Sequence, residues 1–350
     1  MSEPRFVVLR LGSLGDIVHT FPGVAALRQT FPAAEIVWLT HPRWKLLVES
    51  SGLASDIWPI ETRAFASLRG AIRGLRAAKW DAAIDYQGLW KSAALPLFGG
   101  VGRRIGFSSH TIREFGVPIL YTERVQAATT HIADQNGELS RRAGARMLAA
   151  RFTLRVSPED QESVRLQIRS EAIERYIVLS PGGGWRSKCW PAERFGALCQ
   201  RVRATLGWRC VVNFGPGEED LAAAVRTASG SAEPQLYDGE LGPLMALLRD
   251  ATCIVGGDTG PLHLAIALGT PAVALFGPTD PVRNGPYRVA GSAAIEANRK
   301  SAAMEQDDIV LRVANTKTTH TRNDQTDPSM LAIDVESVFD AVCRRVGARP

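Results

Sequence analysis

Four glycine-containing loops of this 350-residue chain carry side chains able to do chemistry. The first, Gly12-Ser13-Leu14-Gly15-Asp16, follows the apolar run Arg5–Leu9. Its glycines permit a sharp strand-to-helix turn that brings the Asp16 carboxylate to a helix N-terminus. Asp16 reads either as a helix cap or as a general base; phosphate binding is disfavoured, because a carboxylate repels a diphosphate and the GxGxxG spacing is absent. The second loop, Pro181-Gly182-Gly183-Gly184, runs on to Arg186, Lys188 and Trp190-Pro191. Three glycines bare backbone N–H groups and two cations precede a helix with Pro191 in its first turn, a combination suited to an anion. The plain alternative is a surface loop with solvated cations. In the third loop, Gly215-Pro216-Gly217-Glu218, the acidic residue either complements a helix N-terminus or accepts hydrogen bonds from a ribose diol. The fourth, Gly256-Gly257-Asp258-Thr259-Gly260-Pro261-Leu262-His263, follows a buried strand and opens a helix whose free N–H groups suit a phosphate. There Asp258 either caps the helix or orients Lys188, and His263 is either a core histidine or part of the site.

These loops need strands before them and helices after them, and the sequence supplies both twice. In the first half, apolar runs at Arg5–Leu9, Ile36–Leu39, Ile57–Ile60 and Ala82–Asp85 alternate with helical periodicity near 44–49, 65–78, 89–97 and 132–150. Residues 99–130 show no clear period. The pattern restarts at Arg175–Leu179 and continues with strands at Cys210–Asn213, Gln235–Tyr237, Cys253–Val255 and Ala272–Phe276, separated by helices at Glu218–Ala228, Leu241–Arg249 and Pro261–Leu268. Residues 290–330 are polar and poorly periodic, and an amphipathic helix at Asp334–Val346 closes the pattern. The expectation is an α/β chain: residues 1–165 as an acceptor domain, 166–330 as a nucleotide-sugar domain, and 331–350 as a closing helix free to pack back on the first domain. The linker is expected at 155–172. Two parallel-sheet domains facing a central cleft would bind ligand at the carboxyl ends of their strands.

Composition narrows the function classes. No apolar run reaches membrane-spanning length, and the start lacks the basic and apolar regions of a secretory signal, so a cytoplasmic protein is expected. The five cysteines form no CxxC pair, which argues against a zinc site or a disulfide framework, and they read as reduced, mostly buried thiols. The net charge of +5 comes wholly from the first half, without a compact basic stripe that would indicate nucleic acid. Either compositional bias towards arginine or an acidic partner explains that excess.

Taken together, Gly12–Asp16 with His19-Thr20 and Pro22, Asp85–Leu89 with Lys91-Ser92-Ala93, Lys188 with Trp190-Pro191, Gly217-Glu218, Asp258-Thr259-Gly260 with His263, and Gly277-Pro278-Thr279-Asp280 resemble the bacterial lipopolysaccharide heptosyltransferases. The Asp85–Ala93 segment and His131-Ile132-Ala133 before Asn136 are most similar to the heptosyltransferase I branch. The resemblance implies a GT-B fold of two Rossmann-like domains and an inverting transfer of heptose from ADP-L-glycero-D-manno-heptose to an acidic glycolipid, Kdo-lipid A. It implies no metal and no cofactor. Asp16 would be the catalytic base. Gly183, Gly184, Lys188, Glu218, Asp258, Thr259, Gly260 and His263 would bind the donor, and Ser13, Gly15, Arg63, Gln87 and Lys91 the acceptor. Arg103, Arg104 and Arg113 are further cations for an acidic acceptor, and peripheral contact with the inner face of the cytoplasmic membrane is expected. Two departures stand out: glycines replace the short polar residues common at 183 and 184, and cysteines are missing ahead of Met330–Ile333. Another GT-B transferase with a different nucleotide sugar would share these loops. A nucleotide-binding module without turnover would have no need of Asp16.

Overall fold

The computed structural model describes residues 3–109, 114–168, 175–289, 308–319 and 324–348. The chain divides into two compact units, one running to Arg155 and the next beginning at Val156. Among the described residues each unit is built on one six-stranded sheet.

In the first unit the strands are β1 (Arg5–Leu9), β2 (Glu35–Thr40), β3 (Asp56–Pro59), β4 (Ala82–Asp85), β5 (Arg104–Phe107) and β6 (Glu123–Val125). They lie in the order β3-β2-β1-β4-β5-β6, all parallel. β1 is buried from Phe6 to Leu9 and β4 throughout, because helices cover both faces; hence these strands read as unbroken apolar runs and not as alternating ones. Val7, Leu9, Val37, Leu39 and Ala83 supply the core on one face, against Ala71, Leu75 and Leu95 of the helices. The order reverses between β1 and β4, where Leu9 pairs with both Leu39 and Asp85. Loops leaving the sheet on either side of such a switch point diverge and leave room for a ligand.

The second unit repeats the plan with β7 (Tyr176–Ser180), β8 (Arg209–Asn213), β9 (Gln235–Tyr237), β10 (Cys253–Gly257), β11 (Ala272–Phe276) and β12 (Ile309–Arg312). Their order is β12-β11-β10-β7-β8-β9, again parallel, with the switch point between β7 and β10. The closing helix, Val335–Val346, packs on this second sheet: Val338, Phe339 and Val342 join Phe195, Val255 and Leu275 in the second core.

The elements depart from expectation at the sheet edges. Residues 99–130 contain β5 and β6, and the stretch 290–330 contains β12. β6 and β12 are edge strands and β5 lies beside β6; each is only three or four residues long and carries a charged residue, such as Arg104, Glu123 or Arg312. Much of 290–330 lies outside the described residues. The expected linker contains a helix, Pro158–Ile168, which buries Val164 and Ile168; residues 169–174 lie outside the described residues. The helix Ile132–Ala143 stops well short of 150, because Gly144 takes a left-handed conformation with φ 116° and caps it.

Candidate active site

In the first unit, Leu9 ends β1 and the chain turns through residues 10–13 into a short helix, Leu14–Val18. Ser13 is the N-cap and Asp16 the third residue inside the helix. Asp16 is therefore the reaching-back half of a capping box and not the cap: its Oδ2 accepts from the Ser13 amide and hydroxyl, both at 3.1 Å. Its other oxygen is 2.6 Å from a guanidinium nitrogen of Arg10. Arg10 is buried, and its second terminal nitrogen donates to the Tyr86 carbonyl. The carboxylate side chain is 43% exposed while the arginine beneath it is 7% exposed. An oriented carboxylate is thus presented to solvent on a buried cationic seat.

The loop after β4 fixes the loop after β1. Gln87 Oε1 accepts from the Leu11 amide at 2.9 Å and the Gly12 amide at 3.3 Å, stitching the two across the switch point. Gln87 is held in turn by Asp85, whose buried carboxylate accepts from the Gln87 and Gly88 amides, the Ser92 hydroxyl and the Tyr121 hydroxyl at 2.7–3.1 Å. Burial pushes the Asp85 carboxyl up, against the pull of these donors. Ser13, Gly15, Asp16 and Gln87 therefore come together, and Lys91 lies exposed in the first turn of the next helix, Trp90–Phe98. Arg63 lies exposed beyond edge strand β3, its amide turned to Glu61, whose carboxylate is 3.3 Å from His41; the His41 amide in turn donates to the Leu11 carbonyl. Arg103 is engaged at the amino end of β5 with Glu123 at 2.6 Å, Arg104 holds the Leu120 carbonyl, and Arg113 lies outside the described residues. His19 and Asn136 serve packing, the Asn136 amide donating to the His19 carbonyl at 3.0 Å.

Three loops meet at the carboxyl end of the second sheet. Lys188, in a single helical turn after Gly184, is 10% exposed at its side chain and lies 4.1 Å from the centre of the Trp185 ring. Its ammonium donates to the Asp258 carbonyl at 2.6 Å and is 3.7 Å from the Asp258 carboxylate. Asp258 thus orients Lys188, and Thr259 takes the cap of helix Gly260–Ala267 by accepting from the Leu262 amide. His263 is buried with Nε2 3.1 Å from Asp258 Oδ1. Burial alone would raise the Asp258 carboxyl, but the His263 bond, the Lys188 charge and Asn284 outweigh it and bring it to about 2. Glu218 accepts from the Gly215 amide at 2.9 Å and lies against Gly182 so closely that a β-carbon there would run into its carboxylate. Gly184 has φ +72°, a conformation that favours glycine, and Gly183 sits over Cys189. Behind this loop the Ser187 carbonyl accepts from the Asp327 amide at 3.1 Å, and Trp190 donates to the Ile333 carbonyl at 2.9 Å. Among the described residues no group of three or more His, Cys, Asp or Glu side chains converges on a metal-sized site.

Two positioning residues escaped sequence reasoning. Arg10 is one, and its signal was an arginine at the end of an apolar strand, where a charge is buried only if paired. Tyr121 is the other, in a stretch without periodicity.

A family model for glycosyltransferase family 9 (heptosyltransferase) matches residues 68–313. Lipopolysaccharide heptosyltransferase 1 of Escherichia coli K12 is 29% identical over 301 residues, covering 81% of this chain and 91% of that one. The structure of the E. coli heptosyltransferase WaaC with ADP superposes with a TM-score of 0.66 at 26% identity, covering 81% and 90% of the two chains. That of E. coli ADP-heptose lps heptosyltransferase II superposes with a TM-score of 0.78 at 20% identity, covering 98% of each. The fold is GT-B, and the chain belongs to glycosyltransferase family 9, the heptosyltransferases of lipopolysaccharide core synthesis.

Proposed function

We propose that this glycosyltransferase moves heptose from ADP-L-glycero-D-manno-heptose to the Kdo of the lipopolysaccharide inner core, with Asp16 as general base. The observation that carries the reading is the buried Lys188, held by Asp258 beside a glycine-bared loop and the start of helix Gly260–Ala267. A cation and helix N–H groups together suit a diphosphate, and they act most strongly as the departing ADP gains negative charge. The acceptor hydroxyl gives its proton to Asp16 while its oxygen bonds to the anomeric carbon; the bond from that carbon to the phosphate oxygen breaks on the opposite face. One direct displacement inverts the configuration, and the proton and the leaving-group electrons are both accounted for. Arg10 and Ser13 hold the carboxylate in one orientation, and in this reading Glu218, beside the glycine loop, accepts from the ribose of the donor. The relatives at 24–29% identity are lipopolysaccharide heptosyltransferases 1 and 3, which supports this donor and acceptor class. No helix among the described residues is long and apolar enough to cross a membrane, so a glycolipid acceptor would be met peripherally at the inner face of the cytoplasmic membrane.

Incubating the protein with ADP-heptose and Kdo-lipid A should yield a lipid one heptose heavier by mass spectrometry. Asp16→Asn should lower turnover about 10²–10⁴-fold, the usual contribution of a general base, with ADP affinity unchanged. Turnover of a different nucleotide sugar but not ADP-heptose would overturn the donor assignment, and full activity of Asp16→Asn would remove Asp16 as the base.

A further inference from the structure

We propose that Trp90, Phe115 and Ile119 form a wedge by which the first unit docks on a bilayer containing anionic lipid, an inference that rests on the glycolipid acceptor argued above. Phe115 is 99% exposed, Ile119 71% and Trp90 47%. Hydrogen bonds through the backbone tie the three positions together. The Trp90 indole N–H donates to the Phe115 carbonyl at 3.2 Å, and its amide donates to the Glu114 carboxylate at 2.7 Å. Gly116 follows with φ +83° so close to the indole that a β-carbon would lie 3.1 Å from it, and its carbonyl accepts from the Ile119 amide at 3.1 Å. Several large apolar side chains left bare on one hydrogen-bonded stretch, and not singly, mark a surface meant to be covered.

Charge selects the occupant. Lys91 lies exposed next to Trp90; Arg124 holds the Pro118 carbonyl at 2.9 Å and Arg104 the Leu120 carbonyl at 2.8 Å, so cations flank the wedge on both sides. The carboxylate in its midst, Glu114, is already engaged by the Trp90 amide. Tryptophan suits the lipid–water boundary, where its ring is apolar and its N–H wet, and basic residues beside it are drawn to anionic headgroups.

The wedge stands on the scaffold that positions Asp16. Beneath it Ala93, Val117 and Tyr121 form a small buried cluster. The Tyr121 hydroxyl and the Ser92 hydroxyl both donate to Asp85, which holds Gln87, which holds the loop before Asp16. Trp90 and the Asp16 loop both leave the sheet at the carboxyl ends of their strands, β4 and β1.

The full-length protein should co-sediment with sucrose-loaded vesicles of phosphatidylethanolamine containing about one-quarter phosphatidylglycerol, and less with purely zwitterionic vesicles. Replacing both apolar tips, Phe115→Ser with Ile119→Ser, should lower partitioning at least about tenfold, given the apolar area removed. ADP affinity by calorimetry should stay unchanged, which shows that the variant is folded. Transfer to a water-soluble, deacylated acceptor is measured in parallel: its absence in the wild type counts against the proposed reaction and leaves the vesicle result standing. Failure of the wild type to bind anionic vesicles, equal partitioning of the double variant, or a change only in oligomeric state would each overturn the wedge.

Discussion

Asp258 accepts from His263 and faces Lys188 in a largely buried site, and its carboxyl is held at about 2, below the ordinary 3.8. A carboxylate whose folded value is depressed contributes stability that is present above the unfolded value and lost as the pH falls through the folded one. The window here runs from about pH 4 down to about pH 2, and the shift corresponds to about 2 kcal/mol. Asp258→Asn should therefore be less stable than wild type at pH 7 by about that amount, with the gap closing below pH 4. Urea unfolding at several pH values would decide it, and parallel stability curves for the two proteins would refute the assignment. Residue types at this site were readable in sequence because glycine, proline and acidic residues cluster there for turn and cap reasons. Roles were not: a cap and an orienting carboxylate share the same letters, and only the structure gives the cap to Thr259 and the cation to Asp258.

At the scale of elements, two loops of the second unit meet at Gly182 with no room there for a methyl group. Gly182 lies under the Glu218 carboxylate, the far end of a flexible side chain, so Gly182→Ala should push Glu218 aside and leave the fold intact. ADP binding should weaken roughly tenfold, about one charge-assisted hydrogen bond, with an unchanged melting temperature. Wild-type ADP affinity in that variant would detach Glu218 from the donor. The central strands were legible because burial on both faces demands apolar runs, as in Val7–Leu9 and Ile254–Val255. The strands at and beside the edges were not, since β5, β6 and β12 are short and each carries a charge, and their pairing with a neighbouring strand, not their own composition, defines them.

For the whole molecule, the basic excess of the first half separates into kinds. Arg103 and Arg142 are paired with Glu123, Arg104 and Arg124 donate to backbone carbonyls and keep their charge, and Arg63, Lys91 and Arg124 are exposed. Exposed charges are screened beyond about 8–10 Å at ordinary ionic strength, and a buried one such as Lys188 is screened much less. Raising salt should accordingly raise the KM for the glycolipid several-fold and the KM for the donor far less. Equal sensitivity of the two constants, or none, would make the excess merely compositional. The repeated plan of the two sheets was visible as two strand-and-loop openings, Arg5–Leu9 and Arg175–Leu179. The packing of the closing helix on the second core was not visible, because an amphipathic helix states that it needs a partner without saying which.

The hold of Ile333 on Trp190 spans 143 residues, and this has a consequence in time. At about 5–20 residues per second, roughly ten seconds separate the synthesis of the lysine-bearing loop from that of the segment that backs it. The first unit has every strand of its sheet long before then. The second waits on the ribosome with the face of β10 and β11 that Val338, Phe339 and Val342 will cover still bare. In the growing chain, the second unit therefore keeps an apolar face uncovered until the closing helix arrives.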